Sequence, residues 1–141
     1  MPALRRHGRS ASAFTLIELV AVIVVLAILA GVAIPKYIDY AANAKSSACK
    51  GILGGVRSAI ANFYSNSAIS GTVAYPTLVQ LQTVGTVVTE AVPANPYNNL
   101  ATITAVSWTT LQPVSGSFGW NYDATTGRFW ANSNTVGENL Y

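Results

Sequence analysis

The sequence predicts an α+β protein in which one long N-terminal helix carries a small antiparallel sheet of three or four strands. Three observations predict it. An apolar run, Phe14–Ile34, interrupted only by Thr15 and Glu18, follows a short basic leader. A helical rhythm of apolar and small residues then continues from Pro35 to about Ser65. From about Asn66 the composition turns to Thr, Val, Asn, Gly and aromatics, which favour strands and turns.

The first element is an anchor. Its 21 residues, at about 1.5 Å each, span about 30 Å, the hydrocarbon thickness of a bilayer. Arg5, Arg6 and Arg9 precede it without an acid, which places the N-terminus in the cytoplasm. These three arginines account for the net charge of +3, because five basic and five acidic residues remain from Phe14 onward. No basic face is left for nucleic acid. Only 9% of the residues are charged, against about 25% in soluble domains, so much of the surface must meet lipid or protein.

The second element continues the first. Ile38, Ala41, Ala42, Ala48, Cys49, Ile52, Val56, Ala59, Ile60 and Phe63 recur at spacings of three and four, one stripe of a helix. One helix is therefore predicted from Phe14 to about Tyr64. Gly31 and Pro35 threaten its continuity, since proline removes a backbone bond and clashes with the preceding turn. Cys49, the single cysteine, reads as a small packed residue and excludes an internal disulfide. With His7 the only histidine, an ordinary zinc site is excluded.

The remaining residues, 66–141, read as a small domain. Pro76 opens a short helix through Leu81. Strands are expected at Val84–Thr89, Ala101–Trp108, Phe118–Tyr122 and Arg128–Asn132, with Val92–Asn99 as a loop. Asp123–Gly127 reads as a five-residue hairpin loop, with Gly127 at positive φ. Pairing Tyr122 with Arg128 sets Trp120 opposite Trp130. Phe118, Trp120 and Tyr122 then share one face, which buries itself on the lower half of the long helix because so small a sheet cannot stand alone. An exposed, sugar-binding aromatic row is the alternative.

Glu18 does not suit a plain anchor. A carboxylate inside a bilayer costs about 2.5–3.5 kcal/mol on insertion scales and marks a functional position with a partner. No cation lies within the run. Cleavage just before Phe14 would create one, the new terminal ammonium, which Glu18 could meet in its own chain or in a neighbouring one. The second arrangement makes burial of the acid a reason to assemble and fixes a stagger between copies.

The stretch from Ala13 to Tyr37, A-F-T-L-I-E-L-V-A-V-I-V-V-L-A-I-L-A-G-V-A-I-P-K-Y, resembles the N-terminus of type IV pilins and of the pseudopilins of type II secretion. The resemblance is strong over residues 1 to about 40. Beyond it, the A-Y-P before a short helix and the P-A-N-P-Y loop before W-x-Y are similar to the G-type major pseudopilin.

The resemblance implies that residues 1–13 are a leader removed by prepilin peptidase between Ala13 and Phe14, and that the Phe14 amine is methylated. It implies that Glu18 meets the terminal amine of an adjacent subunit, and that the helix unwinds around Gly31 and Pro35 inside a filament. Residues 14–34 form the membrane and filament-core helix, and residues 35–65 its amphipathic half. Ala21, Ala27, Ala30 and Gly31 allow close helix approach. The implied partners are further copies in a helical filament, an inner-membrane assembly platform, and other minor pilins or pseudopilins. The implied location is the bacterial inner membrane before assembly and a periplasmic or surface filament afterwards. Ala13 departs from the glycine usual before the cut, but keeps its small size.

Three other readings compete. Leu29–Ala33 ends in small residues that signal peptidase could cut, which would release a soluble domain, but Glu18 is foreign to a signal peptide. An enzyme needs two convergent carboxylates or a similar constellation, which the sparse acids do not offer, and no catalytic residue is expected. For calcium the candidates are Asp123, Asn132, Asn134 and Glu138, a thin set for an ion that takes six to eight oxygens. No cofactor is expected.

Overall fold

A computed structural model describes residues 14–109 and 112–133. The leader residues Arg5, Arg6, His7, Arg9 and Ala13, and the calcium candidates Asn134 and Glu138, lie outside the described residues. The chain divides into two units, Met1–Tyr40 and Ala41–Tyr141.

The long helix is present as α1 (Leu16–Ile69), and Gly31 and Pro35 both lie inside it. In the first unit its apolar side chains stand exposed to the surroundings. α1 ends five residues beyond the expected Tyr64. The stop is a Schellman motif: Gly71, at φ 83, donates its N–H to Ala68 O at 3.2 Å, and Thr72 N–H reaches Ser67 O at 3.0 Å. Gly71 supplies the left-handed residue that ends the helix.

In the second unit, Cys49, Leu53, Val56 and Ile60 form the buried stripe of α1. They meet a three-stranded sheet of β1 (Ile103–Ala105), β2 (Trp120–Asp123) and β3 (Arg128–Ala131), in the order β1-β2-β3. The α+β architecture agrees with the sequence. The sheet is mixed rather than antiparallel: β2 and β3 form the expected hairpin, but β1 lies parallel to β2. The connection from Val106 to Gly119 is long enough for the crossover that a parallel pair needs.

Val84–Thr89 is not a strand. Its backbone bonds are local, Gly85 N–H to Val88 O at 2.7 Å and Thr86 N–H to Thr83 O, and Val87 and Val88 pack on the core from a turn. The short helix is α2 (Leu78–Gln82), which starts two residues later and ends one residue later than expected. Thr77 is its cap: Gln80 N–H donates to Thr77 Oγ1, and Thr77 N–H donates to Gln80 Oε1 at 2.8 Å.

The hairpin register differs by one residue from the expected one. Asp123 pairs with Arg128, Tyr122 with Phe129, Asn121 with Trp130 and Trp120 with Ala131. The loop has four residues, Ala124–Gly127, with Gly127 at φ 69. Trp120 and Tyr122 therefore face α1 with Phe129 and Ala131, and Trp120 stacks on Phe129 at 5.5 Å. Trp130 turns to the other face, edge-on to Trp108 at 5.1 Å. Phe118 lies outside β2 and is 40% exposed, so it does not share the buried row.

The buried row is also tied by its polar ends. Trp120 Nε1–H donates to Pro93 O at 2.9 Å, and Tyr122 Oη–H donates to Pro76 O at 2.6 Å. Burial, with the charge of Asp123 and then Tyr75 adding to it, pushes the Tyr122 phenol up from 10.0 to about 12. A raised pKa contributes stability that is complete below about 10 and is lost as pH rises toward about 12. Tyr122→Phe should cost about 1–3 kcal/mol at neutral pH, because the Pro76 carbonyl loses its donor, and should reduce the alkaline loss of stability. Thermal melts of the detergent-solubilised chain between neutral and alkaline pH check both.

Candidate assembly site

The site predicted from sequence is the start of α1. Thr15 N–H and Thr15 Oγ1–H both donate to Glu18 Oε2 at 2.8 Å, and Glu18 N–H donates to Thr15 Oγ1 at 3.3 Å. This is a capping box, with Thr15 before the first helical residue Leu16 and Glu18 in the first turn. Glu18 therefore satisfies two donors of the helix start. The carboxylate is fixed one residue from Phe14, whose side chain is exposed. Sequence reasoning missed Thr15, although the T-x-x-E spacing was its signal.

Gly31 and Pro35 remain within regular helix in this single chain. α1 contains a segment long and apolar enough to cross a membrane, and none of that segment is buried within the chain.

The calcium candidates that can be placed are Asp123 and Asn132, and the fold does not bring them together. Asp123 pairs with Arg128 at the turn end of the hairpin, whereas Asn132 N–H bonds Gly119 O beyond its other end. Their oxygens hold loops. Asp123 Oδ1 accepts from Thr125 N–H at 2.9 Å and Thr125 Oγ1–H at 2.6 Å, and Oδ2 accepts from Trp108 N–H and Thr126 Oγ1–H, each at 2.9 Å. Asn132 Oδ1 accepts from Ser115 N–H at 2.6 Å.

Burial alone would raise the Asp123 carboxyl. The hydrogen bonds from Thr125, Trp108 and Thr126 outweigh it and hold the group well below the usual carboxylate range. A depressed pKa contributes stability above the ordinary value of 3.8 that is lost as pH falls through the lower, folded value. Asp123→Asn should cost about 1–3 kcal/mol at pH 7, because its amide group meets donors, and should weaken the acid dependence of stability. Acid titration followed by near-ultraviolet circular dichroism reads both effects.

A second polar arrangement lies in the Ala41–Tyr141 unit. Arg57, Trp108, Gly127, Arg128 and Phe129 line a cleft of about 290 Å³. Arg57 Nε–H donates to Phe129 O at 2.9 Å, and the Arg128 guanidinium lies over the Trp108 ring at 4.1 Å.

Comparison with known proteins finds similarity confined to about two fifths of the chain. The prokaryotic N-terminal methylation motif matches residues 8–34. A fimbrial protein, EcpC, of Eikenella corrodens is 41% identical over 56 residues, 40% of this chain and 37% of the relative. The type IV major pilin protein PilE of Neisseria gonorrhoeae is 46% identical over 56 residues, 40% of this chain and 34% of the relative. A fimbrial protein of Neisseria meningitidis serogroup B is 47% identical over 53 residues, 38% of this chain and 31% of the relative. The match thus spans about a third of the length of these curated relatives. No solved structure gives a significant match. In its N-terminal part, where the methylation motif and the capped apolar helix coincide, the chain is similar to type IV pilins and fimbrial proteins.

Proposed function

We propose that the protein is a structural subunit of a helical, type IV pilus-like filament. The observation that carries this reading is Glu18, an acid fixed in the first turn of an apolar helix whose surface is exposed. Prepilin peptidase cuts between Ala13 and Phe14, and the new amine is methylated. In the membrane the N-terminus faces the cytoplasm and the sheet-bearing unit lies outside. On assembly, Glu18 meets the Phe14 ammonium of a neighbouring copy, and α1 helices pack laterally through small residues. Gly31 and Pro35 permit local unwinding, with the freed carbonyls shielded by adjacent helices. An assembly platform and minor subunits complete the machine, and no catalytic residue is needed.

The names of the matched relatives favour a surface pilus. The single cysteine and the P-A-N-P-Y/W-x-Y pattern favour a type II secretion pseudopilus. N-terminal sequencing of the mature chain tests the shared reading, with a methylated Phe14 as the expected first residue. A retained leader, or a start near Ile34, overturns it. Electron microscopy of sheared surface material then separates the two filament kinds.

A further inference from the structure

The exposed charges of the Ala41–Tyr141 unit are few and unequally used. The Arg128 side chain makes no hydrogen bond and no ion pair among the described residues; its guanidinium is held there only by the Trp108 face. It is thus positioned with its N–H edge unspent, which is the geometry that takes a planar carboxylate through two parallel bonds. Arg57 adds a second cation to the same cleft, and among the described residues no acid lines it.

Among the acids, Asp123 spends its oxygens on four donors. Asp39 has Lys36 one helical turn before it. Glu90 is exposed and has no ion pair among the described residues. Glu90 lies beside Ile52, Gly55 and Val56 of α1. At 100° per residue, Arg57 projects roughly 150° away from the centre of that flank. Among the described residues, the acid without an ion pair and the cationic cleft therefore occupy opposite flanks of one helix. Complementary patches on opposite flanks cannot satisfy each other within a chain. Between copies in the same orientation they form a heterologous contact, which propagates in an open helical array instead of closing a dimer.

We propose that the cleft of Arg57, Trp108 and Arg128 receives the Glu90 carboxylate of a second copy, so that the sheet-bearing units carry their own repeating contact. This inference rests on the filament reading and adds a contact remote from Glu18.

Two experiments on the full chain in its membrane test it. In the first, Arg128→Glu reduces filament yield by about tenfold or more, because like charges meet at every repeat, and Arg128→Glu with Glu90→Arg restores it. Unchanged yield in the single variant overturns the contact, and so does failure of the double variant to recover. In the second, Glu90→Cys and Arg128→Cys are combined in one chain and treated with a short bis-maleimide. A ladder of dimers, trimers and larger species is expected, and none from the chain carrying only the buried Cys49. A wild-type chain that forms filaments without a ladder in the variant overturns the contact and leaves the filament reading standing. A ladder without wild-type filaments sinks the filament reading and supports the contact.

Discussion

Glu18→Ala leaves the protein in the membrane and abolishes filaments. Removing the acid makes insertion easier, by about 2.5–3.5 kcal/mol on insertion scales, so less membrane protein is not the expected phenotype. The structure adds a competing explanation for any loss of assembly, because Glu18 closes the capping box of α1. Loss of a cap typically costs about 1 kcal/mol and frays the first turn. Glu18→Gln separates the two roles. Glutamine retains a side-chain oxygen for the Thr15 N–H, as Gln80 does for Thr77 in α2, but carries no charge. If the charge pairs with a neighbouring Phe14 ammonium, Glu18→Gln fails to assemble as Glu18→Ala does. Thr15→Ala, which damages the cap and keeps the charge, then assembles with only a modest defect. Filament counts by electron microscopy, normalised to membrane-embedded subunit, read all three. Normal filaments from Glu18→Gln would leave the acid as a helix cap and nothing more.

How much was legible in the sequence follows from how local each interaction is. α1 was legible because its apolar run and its stripe are periodic over many turns. The hairpin was legible as a hairpin, because Gly127 sits at the positive φ its turn needs. Its register was not. Asp123 had been counted into the loop, whereas its side chain holds Thr125 and Thr126, so its backbone stays in the ladder. A slip of one residue exchanges the faces of a strand, which moved Trp130 away from α1. The parallel pairing of β1 was illegible for a different reason: the connection to β2 can return in either direction, and no residue within it declares which. The Arg57–Arg128 cleft was invisible because its members lie far apart in sequence and follow no spacing.

Gly119→Ala should unfold much of the sheet-bearing unit, the largest stability loss expected from one methyl group. A Cβ at Gly119 would overlap the carbonyl oxygen of Leu100. Neither backbone is free to give way. Gly119 N–H bonds Thr102 O at 3.0 Å, and Gly119 O accepts from Asn132 N–H at 3.0 Å and Asn95 Nδ2–H at 2.9 Å. Leu100 O accepts from Asn95 N–H, and the preceding Asn99 holds φ 58 to bring it there. The P-A-N-P-Y-N-N loop is thus clamped edge-on to the start of β2, with fully buried Asn95 as the clamp. Overpacking a well-packed core costs about 1–3 kcal/mol, occasionally more, and this hydrogen-bonded backbone, with no side chain able to turn aside, belongs at or above the top of that range. For a domain near 100 residues, 3 kcal/mol lowers Tm by at least about 12 °C. Gly55→Ala is the control, since nothing stands within 4 Å of its Cβ and a mid-helix glycine is costly, so it should raise stability by about 0.5–1 kcal/mol. The near-ultraviolet circular dichroism of the Trp120 and Trp130 environment reports the loss directly, while far-ultraviolet helix signal from α1 persists. A melting curve for Gly119→Ala that overlays the wild-type curve would show that the loop is not clamped by Asn95 and Leu100 as described.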